Sequence, residues 1–312
     1  MKVLVTGGAG FIGNHVAIKL LERGDDVVIV DNVNNYYDVQ IKRDRLKRVD
    51  CPVYEIDFSN YDALAEVFAA HQFDVVCHLG AQAGVRYSLE NPFAYERTNS
   101  LGTLNILELM RKHNCKKLVY ASSSSVYGGN EKTPFSVEDR VDHPISLYAA
   151  TKKYNELMAH VYYNLFGIES FGLRFFTVYG PWGRPDMALF KFTKNMMENK
   201  PIDVYNNGDH ARDFTYIDDI VRGVMLSIDK VSGYDVLNLG NNKVTTLMQF
   251  IGCIEKELGI IAQKNMLPMQ PGDVHTTSAD IEHTKNVLGW EPKTNVEEGI
   301  KHFIEWYRSY YA

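Results

Sequence analysis

The sequence predicts an α/β fold, a doubly wound parallel sheet joined to a smaller C-terminal lobe. Three observations predict it. Short apolar, β-branched runs alternate with stretches of helical periodicity as far as Phe176, the pattern of a parallel sheet wound by right-handed crossovers. The first run is followed at once by Gly7, Gly10 and Gly13 at GxxGxxG spacing. After Phe176 the alternation stops and a Gly- and Pro-rich loop begins, which marks a change of architecture. The expected division assigns 1–176, with returns near 211–240, to the sheet domain, and 177–210 with 241–312 to the smaller lobe.

KVLVT at 2–6 is a buried strand. The three glycines let the backbone turn tightly and approach a pyrophosphate, and the N–H groups at the start of the next helix, at Phe11, Ile12 and Gly13, face the phosphates. Ile12, Val16 and Leu20 give that helix an apolar stripe, and Gly24 ends it. DVVIV at 26–30 is the second strand, closed by Asp31. An acid there accepts the adenosine ribose hydroxyls and repels a 2′-phosphate, so the expected cofactor is NAD rather than NADP. Strand, glycines, helix, strand and acid in this order predict a Rossmann-type domain.

The polar loop 33–38 falls beside the adenosine, and the basic segment 41–48 reads as a solvated helix face. Strands are expected at 52–57 and from 73, the latter running into a loop that reaches Ser88, with His78 as a satisfied core histidine. A helix over 92–113, a strand over 116–122, a helix over 146–166 and a strand over 168–176 complete the first domain. Beyond the shaped loop 177–188, helices are expected at 187–199, 246–258, 280–288 and 296–309, and a strand at 235–240. RDFTYIDDI at 212–220 leads into a further helix capped by Asp218 or Asp219.

The chemistry is concentrated between Tyr120 and Lys152. YASSSSVYGG at 120–129 is a strand end spilling into a serine loop, and SLYAATKKY at 146–154 starts a helix with Tyr148 and Lys152 four residues apart. Residues at that spacing share a face. An adjacent ammonium favours the phenolate and lowers a tyrosine pKa, which makes a general base usable near neutrality. Ser123 is the hydroxyl placed to orient the group whose proton Tyr148 takes.

Composition sets bounds. The chain has 312 residues with 45% hydrophobic content and a formal net charge of -6, a globular protein unsuited to nonspecific nucleic-acid binding. Cys51, Cys77, Cys115 and Cys253 have no CxxC spacing and no His pairing, so they read as buried free thiols of a reducing cytoplasm and give no metal site. No signal peptide and no apolar run long enough to span a bilayer is expected.

TGGAGFIG, the serine loop ending in VYG, and Tyr148-x-x-x-Lys152 together resemble the extended short-chain dehydrogenase/reductase superfamily, in its nucleotide-sugar-modifying branch. The resemblance covers nearly the whole chain. It implies an NAD-dependent enzyme whose cofactor also contacts Asn32, Asp57, Phe58, Leu79, Ala81, Gln82 and Asn99. It also implies a homodimer formed through helices 92–113 and 146–166. Dehydratases of this branch carry Asp-Glu before VYG and decarboxylases carry Glu; this chain has Ser124 and Ser125. The resemblance therefore implies epimerisation.

AGVRYS, containing Arg86, and RFFTVYGPWGRPDMA resemble UDP-glucuronate 4-epimerases, with Thr177 where UDP-glucose epimerases have Asn. On that resemblance a UDP-sugar substrate meets Arg86, Ser123, Ser124, Ser125, Thr177, Arg184, Met187, Val204, Tyr205, Arg212 and Asp273. Arg212 and Asp273 match positions for the pyrophosphate and ribose, while Arg184 suits either a uronate or a phosphate. An epimerase of neutral UDP-sugars, a decarboxylase and a non-catalytic NAD-binding regulator are the competing readings. The Tyr–Lys pair speaks against the last.

Overall fold

The computed structural model describes residues 1–270 and 272–311. The strands among them are β1 (Lys2–Thr6), β2 (Asp26–Val30), β3 (Val53–Tyr54), β4 (Val75–His78), β5 (Lys117–Ser123), β6 (Glu169–Phe175), β7 (Thr177–Tyr179), β8 (Ile202–Val204), β9 (Ala211–Tyr216), β10 (Tyr234–Leu239), β11 (Val244–Thr246) and β12 (Lys264–Met266). Seven form one sheet in the order β10-β6-β5-β4-β1-β2-β3, with every neighbouring pair parallel. The chain winds outward from β1 in both directions, so the order reverses between β1 and β4. That reversal opens a crevice at the carboxyl ends of the strands.

Burial explains the winding. Along β1, Val3 and Val5 pack with Val16, Leu20 and Ile220 on one face, while Leu4 packs with Leu64, Val67, Ile106 and Leu107 on the other. Alternate side chains point to opposite faces, and a strand covered on both sides is apolar throughout. The helix Phe11–Glu22 and the helix Ile217–Lys230 pack together on the first face. The helix Leu147–Phe166 starts at Ser146, whose hydroxyl accepts from Ala149 N at 3.1 Å, and ends at left-handed Gly167.

β7, β9 and β11 make a three-stranded sheet and β8 with β12 a two-stranded one. The segment 211–240 thus returns only in part: β10 joins the main sheet, but β9 is held by β7 and β11. Three other expectations need correction. The third strand is confined to Val53–Tyr54. Neither Asp218 nor Asp219 caps its helix; Asp219 instead accepts from the backbone N–H groups of Lys293 and Thr294, pinning the C-terminal segment. The basic segment lies on the helix Val39–Leu46, but that face is not solvated, because Lys42 and Arg45 are buried. Arg45 donates to the carbonyls of Ala9, Trp182 and Gly183, tying the glycine loop to the loop after β7. Among the described residues, no helix is long and apolar enough to cross a membrane and no cluster of metal-ligating side chains occurs.

Candidate active site

A cavity of about 870 Å³ follows the carboxyl edge of the sheet and runs out under the smaller lobe. Its inner half is lined by Gly7, Gly10, Phe11, Ile12 and Gly13, then by Asp31, Asn32, Phe58, Leu79, Ala81 and Gln82. Gly7 has φ +75°, and a Cβ on Gly10 would sit 2.9 Å from the Gly7 carbonyl oxygen. A Cβ on Gly13 would collide with the same carbonyl. No side chain caps the helix that follows, so its first N–H groups face the cavity unclaimed.

Asp31 accepts from Ala9 N at 3.0 Å and Val33 N at 2.8 Å, and burial raises its pKa despite those bonds. Val33 adopts φ 45° there, an uncommon conformation for a β-branched residue that marks a turn fixed by its surroundings. A side-chain-free cradle with open amide dipoles, ending at a buried carboxylate, fits the pyrophosphate and ribose of NAD.

Asp57, Asn99 and Val204 lie outside the lining. Asp57 accepts from Asn32 Nδ2 at 3.2 Å and Ser59 N at 2.8 Å, so it is joined to the cavity wall through Asn32. Asn99 is buried; it donates to the Gln82 carbonyl and to Thr151 Oγ1, and accepts from Gln82 N. Val204 is fully buried because strand alternation sends its neighbours Asp203 and Tyr205 to the cavity instead. His78 sits within the core, its ring bonded to Thr6 Oγ1 and Thr103 Oγ1.

Tyr148, in the first turn of its helix, faces Ser123 at the end of β5. The electrostatics differ from the sequence expectation. Burial raises the Tyr148 pKa, and the groups that hold it down are the Ser123 hydroxyl and the Arg184 guanidinium. The Lys152 ammonium donates to the Ala121 carbonyl at 2.8 Å, and burial lowers its pKa to about 7. Ser123 Oγ accepts from Ser125 N at 3.1 Å, folding the serine loop back on itself, while Ser124, Ser125 and Thr177 line the cavity.

One turn beyond Lys152, Glu156 forms a buried bidentate pair with Arg174 and accepts from Ser122 Oγ at 2.7 Å. Arg174 also donates to the Tyr127 hydroxyl, so one buried network braces the helix, β5, β6 and the VYG turn. Nothing in the local sequence pattern marks it.

Toward the mouth, Arg86 pairs with Asp273 at 2.8 Å and its guanidinium lies over the Tyr205 ring at 4.5 Å. Arg212 and Met187 line the same cavity. Arg184 is bonded side-on by Asp186, which also accepts from Tyr36 Oη at 3.2 Å. Tyr36, Lys42, Asp186, Lys191, Asn195 and Asp203 line the cavity as well and were not anticipated. A Pro-flanked Asp two residues from an Arg was the one sequence signal available for Asp186.

The sequence profile described as the NAD dependent epimerase/dehydratase family matches residues 3–240. UDP-glucuronate 4-epimerase 1 of Arabidopsis thaliana is 48% identical over an alignment covering 100% of this chain and 78% of that protein. A crystal structure of a UDP-glucuronic acid 4-epimerase from Bacillus cereus, in complex with UDP-glucuronic acid and NAD, superposes with a TM-score of 0.93 at 34% identity, covering 100% of both chains. A UDP-glucose 4-epimerase of Thermotoga maritima, with UDP-glucose, gives 0.92 at 32% identity with the same coverage. The backbone therefore does not separate charged from neutral sugars; the side chains must.

Proposed function

The chain belongs to the NAD dependent epimerase/dehydratase family, and we propose that it converts UDP-glucuronate to UDP-galacturonate through a 4-keto sugar. It is an NAD-dependent UDP-sugar 4-epimerase. The chemistry that NAD supplies when bound is reversible acceptance of a hydride. Gly7, Gly10, Gly13 and Asp31 hold the dinucleotide. Tyr148 takes the proton of the sugar 4-hydroxyl as the hydride leaves carbon 4, and gives it back after the keto sugar has turned its other face. Ser123 orients that hydroxyl. Arg184 favours the phenolate as a nearby positive charge and the Ser123 hydroxyl does so by hydrogen bonding, while the Lys152 ammonium is held by the Ala121 carbonyl.

The observation that carries the uronate reading is the composition of the sugar end. Beside Tyr148 and Lys152 it holds the hydroxyls of Ser124, Ser125 and Thr177 and the Arg184 guanidinium. The carbon bearing the carboxylate is the neighbour of carbon 4, so a cation close enough to act on Tyr148 is placed for that carboxylate. Arg86, Arg212 and Asp273 remain for the diphosphate and ribose at the mouth. Oxidation at carbon 4 makes a β-keto acid, which loses carbon dioxide when its carboxylate is desolvated or turned perpendicular to the ketone. Hydroxyl donors and a guanidinium keep it solvated and oriented. Incubation with UDP-glucuronate, UDP-glucose and UDP-N-acetylglucosamine tests the reading: UDP-galacturonate is the expected main product, with little carbon dioxide from carboxyl-labelled substrate. Carbon dioxide as the main product, or turnover confined to neutral sugars, would reject it.

The working unit is a homodimer in this reading. Leu157, Val161 and Leu165 form an exposed apolar row at i, i+4, i+8 on the helix that carries Tyr148. Phe93, 78% exposed, on the short helix Pro92–Tyr95, and Leu101, at the end of the π-helical turn Glu96–Leu101, lie on segments that pack against that helix. Such a patch suits burial against a second copy, and sedimentation tests it. Residues 1–176 with 217–240 act as the cofactor domain and the remainder as the substrate lobe. Four unpaired thiols, with Cys77 and Cys115 buried as expected but Cys51 and Cys253 only half-buried, suit the reducing cytoplasm.

A further inference from the structure

We propose that Asp186 and Tyr36 are positioning residues for the uronate. They fix the Arg184 guanidinium so that one edge stays free for the substrate carboxylate, and they tie that edge to the cofactor loop. The inference rests on the uronate reading above. Asp186 takes Arg184 side-on, Nε to Oδ1 at 3.0 Å and Nη2 to Oδ2 at 2.5 Å. A guanidinium offers a carboxylate either its side or its end. With the side consumed by Asp186, the Nη1/Nη2 end is left to meet a second carboxylate, with its orientation preset. Burial opposes both charges, yet each wins its ionised form from the other: the Arg184 pKa is raised and that of Asp186 lowered.

Tyr36 extends this pair across the cleft. It belongs to the loop that follows Asp31, and Lys42 holds that loop from behind through the Asn34 carbonyl and side chain at 2.7 and 2.8 Å. The Tyr36 ring packs on Tyr87 with centroids 5.0 Å apart. Its hydroxyl reaches Asp186 only because residue 84 is glycine, at φ +101°; a Cβ there would lie 2.5 Å from Tyr36 Oη. Tyr95 Oη donates to the carbonyls of Ala83 and Gly84, which holds that narrow approach in place. A loop from the cofactor side and one from the substrate side thus meet at the Tyr36–Asp186 contact, with the Gly84 loop packed against the Tyr36 hydroxyl.

The test uses holoenzyme and three ligands: UDP-glucuronate as substrate, with UDP and UDP-glucose as competitive inhibitors. Asp186→Asn keeps the shape and removes the charge. Its KM for UDP-glucuronate should rise about tenfold, the scale of a hydrogen bond to a charged group. The two inhibition constants should stay within about twofold of wild type, since neither ligand carries the carboxylate. Tyr36→Phe should shift the same ratio by about threefold, a neutral donor being worth less.

Parallel weakening of all three ligands would mean a merely structural role and overturn the inference. Tighter uronate binding by Asp186→Asn would mean that Asp186 only neutralises Arg184, and would overturn it too. A wild type that binds UDP-glucuronate no better than UDP-glucose would instead reject the reading of Arg184, and this inference with it.

Discussion

The two ends of the cavity are built in different ways. The end that carries the proposed base stands on regular structure: Tyr148 and Lys152 on one helix face, Ser123 at the last position of β5, and a buried Glu156–Arg174 pair behind them. The side chains proposed to meet the substrate's anions stand on loops joined by ion pairs, Arg86 with Asp273 at the mouth and Arg184 with Asp186 nearer the base. A helix and a strand hold a general base to the tolerance that proton transfer needs. Loops allow a pocket to be rebuilt for another sugar without moving the base, and loops positioned by a rigid scaffold are where specificity usually sits. The difference predicts that damage at the base end appears in kcat, and damage at the mouth in KM.

The largest effect should come from the base. Tyr148→Phe removes the proton acceptor and leaves the glycine cradle intact. Turnover of UDP-glucuronate should fall about 100- to 10,000-fold, with NAD still retained by the purified protein. Near-normal turnover would place the base elsewhere and dissolve the contrast between the two ends. A smaller effect is expected at the mouth. The Arg86–Asp273 pair leaves Arg86 45% exposed, and exposed pairs contribute only about 0–1 kcal/mol to stability. Arg86→Gln should therefore leave folding unchanged, raise KM about three- to tenfold through the lost phosphate contact, and leave kcat within about twofold. A kcat loss without a KM change would show that the mouth gates chemistry.

The same contrast explains what could be read in the sequence. The sheet, the glycine cradle, Asp31 and the Tyr148–Lys152 pair follow fixed spacings, because helix and strand periodicities dictate which neighbours meet. The Arg86–Asp273 pair joins residues 187 positions apart, so no local pattern announces it. Lys42 and Arg45 look like surface cations in a basic run; their burial depends on carbonyls at Ala9, Asn34, Trp182 and Gly183, and only folding brings those together. Val204, expected at the substrate, lies in the core for the opposite reason. Its strand is too short to reveal its alternation, and the residues on either side of it are the ones that face the cavity.

The smallest expected effect concerns Lys152, where geometry and charge pull apart. Its ammonium is buried, with the Ala121 carbonyl as its hydrogen-bond acceptor. Burial lowers its pKa to about 7, whereas an unfolded lysine titrates near 10.4. Between these values the unfolded chain holds more protons than the folded one, so stability rises with pH across that window. Below about pH 7 both states are protonated, and the full cost of burying the charge is present. Lys152→Met keeps the apolar stem, loses one hydrogen bond to Ala121 and removes that cost. In protein stripped of nucleotide, the variant should melt a few degrees above wild type near pH 6. The gap should close as the pH rises past about 10.4, beyond which the wild-type lysine is neutral in both states. Thermal melts across pH check this. A gap that is constant with pH would mean that Lys152 is not titrating in the fold, and a variant less stable at every pH would mean that the Ala121 contact outweighs burial. The base end would then be held by its lysine as a structural strut, tying the helix of Tyr148 to the Ala121 carbonyl of β5.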